Sequence, residues 1–83
     1  MTDLVKYMLR TQRELKEIRD EERQLAEILD NYALRANEAG MTHREITDAL
    51  GYSSMGSVSR MIDRARRRRL ERDRRLEEEN NGA

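Results

Sequence analysis

Leu4, Met8, Thr11, Leu15, Ile18, Glu22, Leu25, Leu29, Tyr32 and Ala36 recur at alternating steps of four and three, and eight of these ten positions are apolar. No Gly or Pro interrupts the chain from Thr2 to Ala39. The spacing predicts one long helix of ~50 Å carrying a coiled-coil-like stripe. Thr11 and Glu22 break the stripe, and polar groups at such positions lower stability while helping to fix register. The flanking pairs Arg10 with Glu14, Arg13 with Glu17 and Lys16 with Asp20 sit one turn apart. Each adds ~0.3 kcal/mol, so they favour solubility more than they decide the fold.

The pattern changes after Ala39. Gly40 is placed to terminate the long helix in a left-handed conformation, and Thr42 with Glu45 forms a capping box that opens another. In this second helix Ile46, Ala49 and Leu50 share a side, and Gly51 stands where it must end. Tyr52, Ser53 and Ser54 form the turn, with Ser53 or Ser54 able to cap a third helix. At about 100° per residue Val58, Met61, Ile62 and Ala65 fall on one arc. Gly56, Arg60, Asp63, Arg64 and Arg67 fall on the opposite one, so one face is apolar and the other short, polar and cationic. From Arg66 onward the sequence still reads as helix, with no β-hairpin wing.

The expected architecture is therefore all-α: a long N-terminal coiled-coil-like helix, then a helix-turn-helix in a tri-helical core, with an extended basic C-terminal helix. Two short helices cannot enclose a core alone. Leu25, Ile28, Leu29, Tyr32, Ala33 and Ala36 are thus expected to pack across Ile46, Leu50, Val58 and Ile62 as a third wall. Leu4, Val5, Met8, Leu15 and Ile18 have no partner within the chain, which points to a second copy. The competing arrangement folds the early helix onto the C-terminal one. Against it, Leu70 and Leu76 are the only large apolar groups beyond Ile62, and their spacing of six makes no continuous stripe. The divisions are an oligomerisation helix over 1–24, a helix-turn-helix domain over 25–69, and a charged extension with a frayed tail over 70–83.

Composition narrows this further. Eighty-three residues with three Tyr and no Phe or Trp make one small domain whose monomer would be marginal. Short chains are usually reinforced by disulfides, metal or oligomerisation. Without Cys and with a single His, self-association is what remains. Charged residues make up 41% of the chain, the balance of long solvated helices. No apolar run approaches the ~20 residues of a membrane span and no signal peptide opens the chain, so a cytoplasmic, nucleoid-associated protein is expected. The formal net charge is zero, but Arg60 to Arg75 holds nine arginines against Asp63, Glu71 and Asp73. Screening acts over ~8 to 10 Å, so a nearby phosphate backbone responds to that patch more than to the total.

The run Glu45-Ile46-x-x-x-Leu50-Gly51-Tyr52-x-Ser54-x-x-x-Val58-x-x-x-Ile62 resembles the bacterial helix-turn-helix regulators as a superfamily. Gly51 precedes Val58 by seven positions where six is commonest, which is similar to the longer turn of the SOS repressor's DNA-binding domain and of some phage terminase small subunits. The likeness spans roughly 30 residues and leaves out the N-terminal third; Thr47 stands where alanine is usual. It implies a recognition helix in the major groove of duplex DNA.

On that reading Arg60 is the leading candidate for a base contact, because a guanidinium matches the paired acceptors of a guanine edge. The bland alternative is a surface arginine. Ser57 and Ser59 could bond to bases or phosphates, and Gly56 would let the backbone approach closely. Asp63 either accepts from a cytosine amine or orients Arg60 and Arg67. Arg64 and Arg67 suit phosphates. Arg66, Arg68 and the arginines up to Arg75 either lie along the backbone or form a solvated face. Thr42 and Ser54 are caps whose helix N-termini can also hold phosphate. Tyr52 is a packed turn residue whose hydroxyl could reach one. His43 is expected to be exposed and non-catalytic.

The functional expectation is a small homodimeric, sequence-specific DNA-binding regulator of bacterial, plasmid or phage type, needing no cofactor, metal or small-molecule ligand. A two-fold pair would present its recognition helices one duplex turn, ~34 Å, apart. The alternatives are a DNA-packaging or assembly adaptor of the terminase small-subunit type, or an arginine-rich RNA-binding helix. A lone His, no Cys, no glycine-rich phosphate loop and no inward carboxylate cluster leave no nucleophile and base to support an enzyme.

Overall fold

In the computed structural model, which describes residues 2–82, the chain is all-helical: α1 spans Thr2–Glu38, α2 His43–Leu50 and α3 Met55–Asn81. Among the described residues there is no strand. No described helix is long and apolar enough to cross a membrane.

The local signals at the two connections act as read from the sequence. After α1, Gly40 takes φ 110°, and Met41 N–H donates to Ala36 C=O at 3.0 Å, closing the terminal turn. Thr42 Oγ1 accepts from Glu45 N–H while Glu45 Oε1 accepts from Thr42 N–H, so the capping box is complete. Gly51 ends α2 at φ 72°, with its N–H on Asp48 C=O. Tyr52 N–H returns to Thr47 C=O at 3.1 Å. Ser54 then caps α3, its Oγ accepting from Gly56 N–H at 3.1 Å. α3 continues past Arg66 as one helix to Asn81.

The core is small. Ala33 and Leu34 from α1, Ile46 from α2, and Val58, Met61, Ile62 and Ala65 from α3 are buried, with Ala36 and Met41 packed against them. The α3 arc predicted to face inward does so. The expectation for the α1 wall is met only in part: Ala33 is buried and Ala36 packs against the core as expected, but Leu25, Ile28, Leu29 and Tyr32 stay exposed, as does Leu50 on α2. What α1 turns inward is Asp30, Ala33 and Leu34, with Asn37 half-buried below them. That set has its own i, i+3, i+4, i+7 spacing. It lies about 100° around the helix from the heptad seam. The physical reason is complementarity: Leu34 fills the interior between the helices, small Ala33 packs beside it, and Asp30 meets Arg64 and Arg68 of α3, a set of partners that the seam does not have.

Leu4, Val5, Met8, Leu15 and Ile18 are exposed as well. The early part of α1 thus does not fold back onto α3, and the molecule extends over 58 × 47 × 15 Å.

Candidate functional site

With Val58, Met61, Ile62 and Ala65 committed inward, helical geometry presents Gly56, Arg60, Asp63 and Arg67 on the far side of α3. Arg60, Asp63 and Arg67 are exposed, and Gly56 is half-buried. A Cβ at Gly56 would lie 3.5 Å from an Arg60 Nη1 and 3.3 Å from Ser54 Oγ. The Arg60 guanidinium thus lies back along the first turn of α3 at an ordinary van der Waals distance from where a side chain at 56 would begin, and the Ser54 cap is the tighter neighbour.

The start of α3 is braced by α2. His43 Nδ1 and Ser59 Oγ are 2.9 Å apart, and Thr47 Oγ1 donates to His43 C=O. His43 is half-buried rather than exposed as expected, and Ser59 has its hydroxyl turned to protein. Thr47, the departure from alanine, is buried with its hydroxyl satisfied inside its own helix. Thr42 and Ser54 use their hydroxyls as caps. Tyr52, expected to be packed, is instead exposed at the turn, and Ser57 is half-buried.

A second cluster was not foreseen. Asp30 is 2% exposed. It accepts from Arg64 Nε and Nη2, both at 3.1 Å, and from Arg68 Nη1 at 2.9 Å. Burial pushes the Asp30 carboxyl up, but the hydrogen bonds from Arg64 and Arg68 and their positive charge outweigh it and hold the group below its ordinary range. Arg64 is in turn held more firmly protonated by Asp30. One turn away, Arg69 pairs with Glu38 through two bonds at 2.8 and 3.1 Å. That contact lowers the Glu38 carboxyl and raises the Arg69 guanidinium. Arg66 Nη2 reaches Asn37 Oδ1 at 3.4 Å.

The arginine run is thereby divided between two tasks. Arg64, Arg68 and Arg69 spend donors on fastening α3 to α1. Arg60, Arg67, Arg72, Arg74 and Arg75 are exposed and enter no ion pair among the described residues. Counting Asp30 and Glu38 with Asp63, Glu71 and Asp73, nine arginines still face only five carboxylates. The signal for Asp30 was present in the sequence as the stripe 30, 33, 34, 37. A carboxylate at its head hid it, because an acidic residue reads as solvent-facing until its partners are known.

No family profile, curated protein or solved structure matches the chain. Among the described residues, no group of His, Cys, Asp and Glu is arranged to hold a metal ion.

Proposed function

We propose that the chain is a sequence-specific double-stranded DNA-binding protein, acting as a small homodimeric regulator, with the first three turns of α3 entering the major groove. The observation that carries this reading is the outward face of that helix. It presents Arg60, Asp63 and Arg67 exposed, with Gly56 half-buried beside them, on a rod whose other side is locked by the core and by the His43 to Ser59 bond.

Arg60 reads a guanine edge and Arg67 takes a phosphate. Asp63 makes no ion pair with Arg60 or Arg67 among the described residues, which favours its acting as an acceptor toward a cytosine amine. Arg66, Arg72, Arg74 and Arg75 supply the sequence-independent attraction. Arg64 and Arg68, assigned to phosphates on sequence grounds, serve chiefly to hold the rod at its angle.

Selection of bound sites from random duplex DNA, followed by titration of Arg60→Ala, tests the reading. The variant loses ~1 to 3 kcal/mol on the selected site and keeps its affinity for unrelated DNA. Equal loss on both removes Arg60 as a reader, and stronger binding to structured RNA than to duplex transfers the basic face to RNA. An assembly adaptor is the second reading, favoured by the length of exposed seam on α1, and it would form a ring of many copies.

A further inference from the structure

The exposed seam of α1 reads the same from both ends once polarity alone is considered. Around a midpoint between Lys16 and Glu17, Leu15 mirrors Ile18, Thr11 mirrors Glu22, Met8 mirrors Leu25 and Leu4 mirrors Leu29. Between Leu4 and Leu29 every apolar position answers an apolar one, and the two polar interruptions answer each other. We propose that α1 pairs with α1 of a second copy as an antiparallel coiled coil in this register.

Other registers do worse. A parallel, in-register pair sets Glu22 against Glu22 of the partner subunit inside the seam, two like charges removed from water. Sliding the antiparallel pair by one heptad in either direction puts Glu22 opposite Leu4 or Ile18. In the proposed register the Glu22 carboxylate meets the short polar side chain of a threonine, whose hydroxyl donates to Tyr7 C=O in the single chain, and Gln12 next to it in sequence offers an amide donor.

The edges agree. Antiparallel packing sets the residues that flank the seam on one side against the same flank of the partner, so Val5 would lie against Ala26 and Tyr7 against Ile28. Both Tyr7 and Ile28 are exposed in the single chain. Glu14 against Glu21 is the one repulsive flank. It lies at the solvent edge, where salt screens it, and Glu14 is within 3.6 Å of Arg10. The apolar side chains so covered, from Leu4 to Leu29, present an area on the order of the ~800 Å² per partner that a stable interface takes.

The arrangement places the two tri-helical units at opposite ends of the coil, ~50 Å apart along its axis. If the DNA reading holds, the half-sites then lie farther apart than the single-turn spacing of ~34 Å. The pairing itself does not depend on that reading.

Because the chain has no Cys, thiols can be placed singly. Met8→Cys and Leu25→Cys, both at exposed positions, are mixed in equal amounts in a glutathione buffer without DNA. Disulfides form only between closely apposed Cβ atoms, so the mixed dimer is expected to exceed either homodimer at least tenfold. Leu4→Cys with Leu29→Cys should behave likewise. A dominant Met8→Cys homodimer would overturn the proposal in favour of a parallel coil. A monomeric or ring-sized mass by sedimentation would overturn it outright, and neither outcome bears on whether α3 binds DNA.

Discussion

The two ends of α1 carry the same helix and opposite solutions to burial. Over its last turns, Asp30, Ala33 and Leu34 are enclosed by α2 and α3, with Leu34 the one large apolar side chain among them. Over the preceding length, Leu, Ile, Met and Tyr stand in water. The stripe with the greater apolar content is thus not the one that makes the domain. Close packing rewards fit: the face whose groups find matching partners on α2 and α3 is buried, while the larger apolar stripe needs a partner shaped to interdigitate with it. The inner face belongs to the chain's own fold, and the outer one is available to another molecule.

Substitution separates the two faces most sharply in the core. Ile62 is fully buried between the helices, and Ile62→Ala should cost ~2 to 5 kcal/mol in urea unfolding. A loss below ~1 kcal/mol would mean that the tri-helical unit is not the cooperative core.

Asp30→Ala ranks next. Removing a buried carboxylate strands two guanidiniums, which alone argues for a large loss. The Arg64 and Arg68 side chains are 43% and 37% exposed, however, so water rescues them and ~1 to 3 kcal/mol is expected. The pH dependence has a definite sign. Asp30 has a lowered value in the fold against 3.8 in the free side chain, so its stabilisation is present above ~4 and lost as pH falls through the folded value. Thermal unfolding of the Asp30→Ala variant should approach that of the parent below this range, and a constant difference down to strongly acidic pH would contradict the assignment.

The smallest effect belongs to the outer seam. Leu25→Ala in dilute protein, where copies are apart, should change unfolding by less than ~0.5 kcal/mol, since its side chain is already in water. At high concentration the same variant should lower the midpoint by weakening association. A large loss that ignores concentration would place Leu25 inside the single-chain fold.

Legibility in the sequence followed the range of the interaction. The continuity of α1, the left-handed glycines at 40 and 51, the capping box at Thr42 and the cap at Ser54 all depend on residues within a few positions of one another, and each was readable. So was the inward arc of α3, where one helix has a single clear apolar side. The inward side of α1 was misread because the helix carries two stripes, and periodicity ranks the larger and more apolar one first. His43 was misplaced for a different reason: its partner Ser59 lies sixteen residues away.

The sequence by itself determined where helices begin and end, because caps and backbone sterics act locally. It also set the polarity of each face. Which face of α1 meets α3 was decided only in three dimensions, by whether the facing surfaces fit closely and by Arg64 and Arg68 converging on one carboxylate. The basic run was likewise divided there: arginines within reach of Asp30 and Glu38 became fasteners of the fold, and those on the far side of α3 stayed exposed.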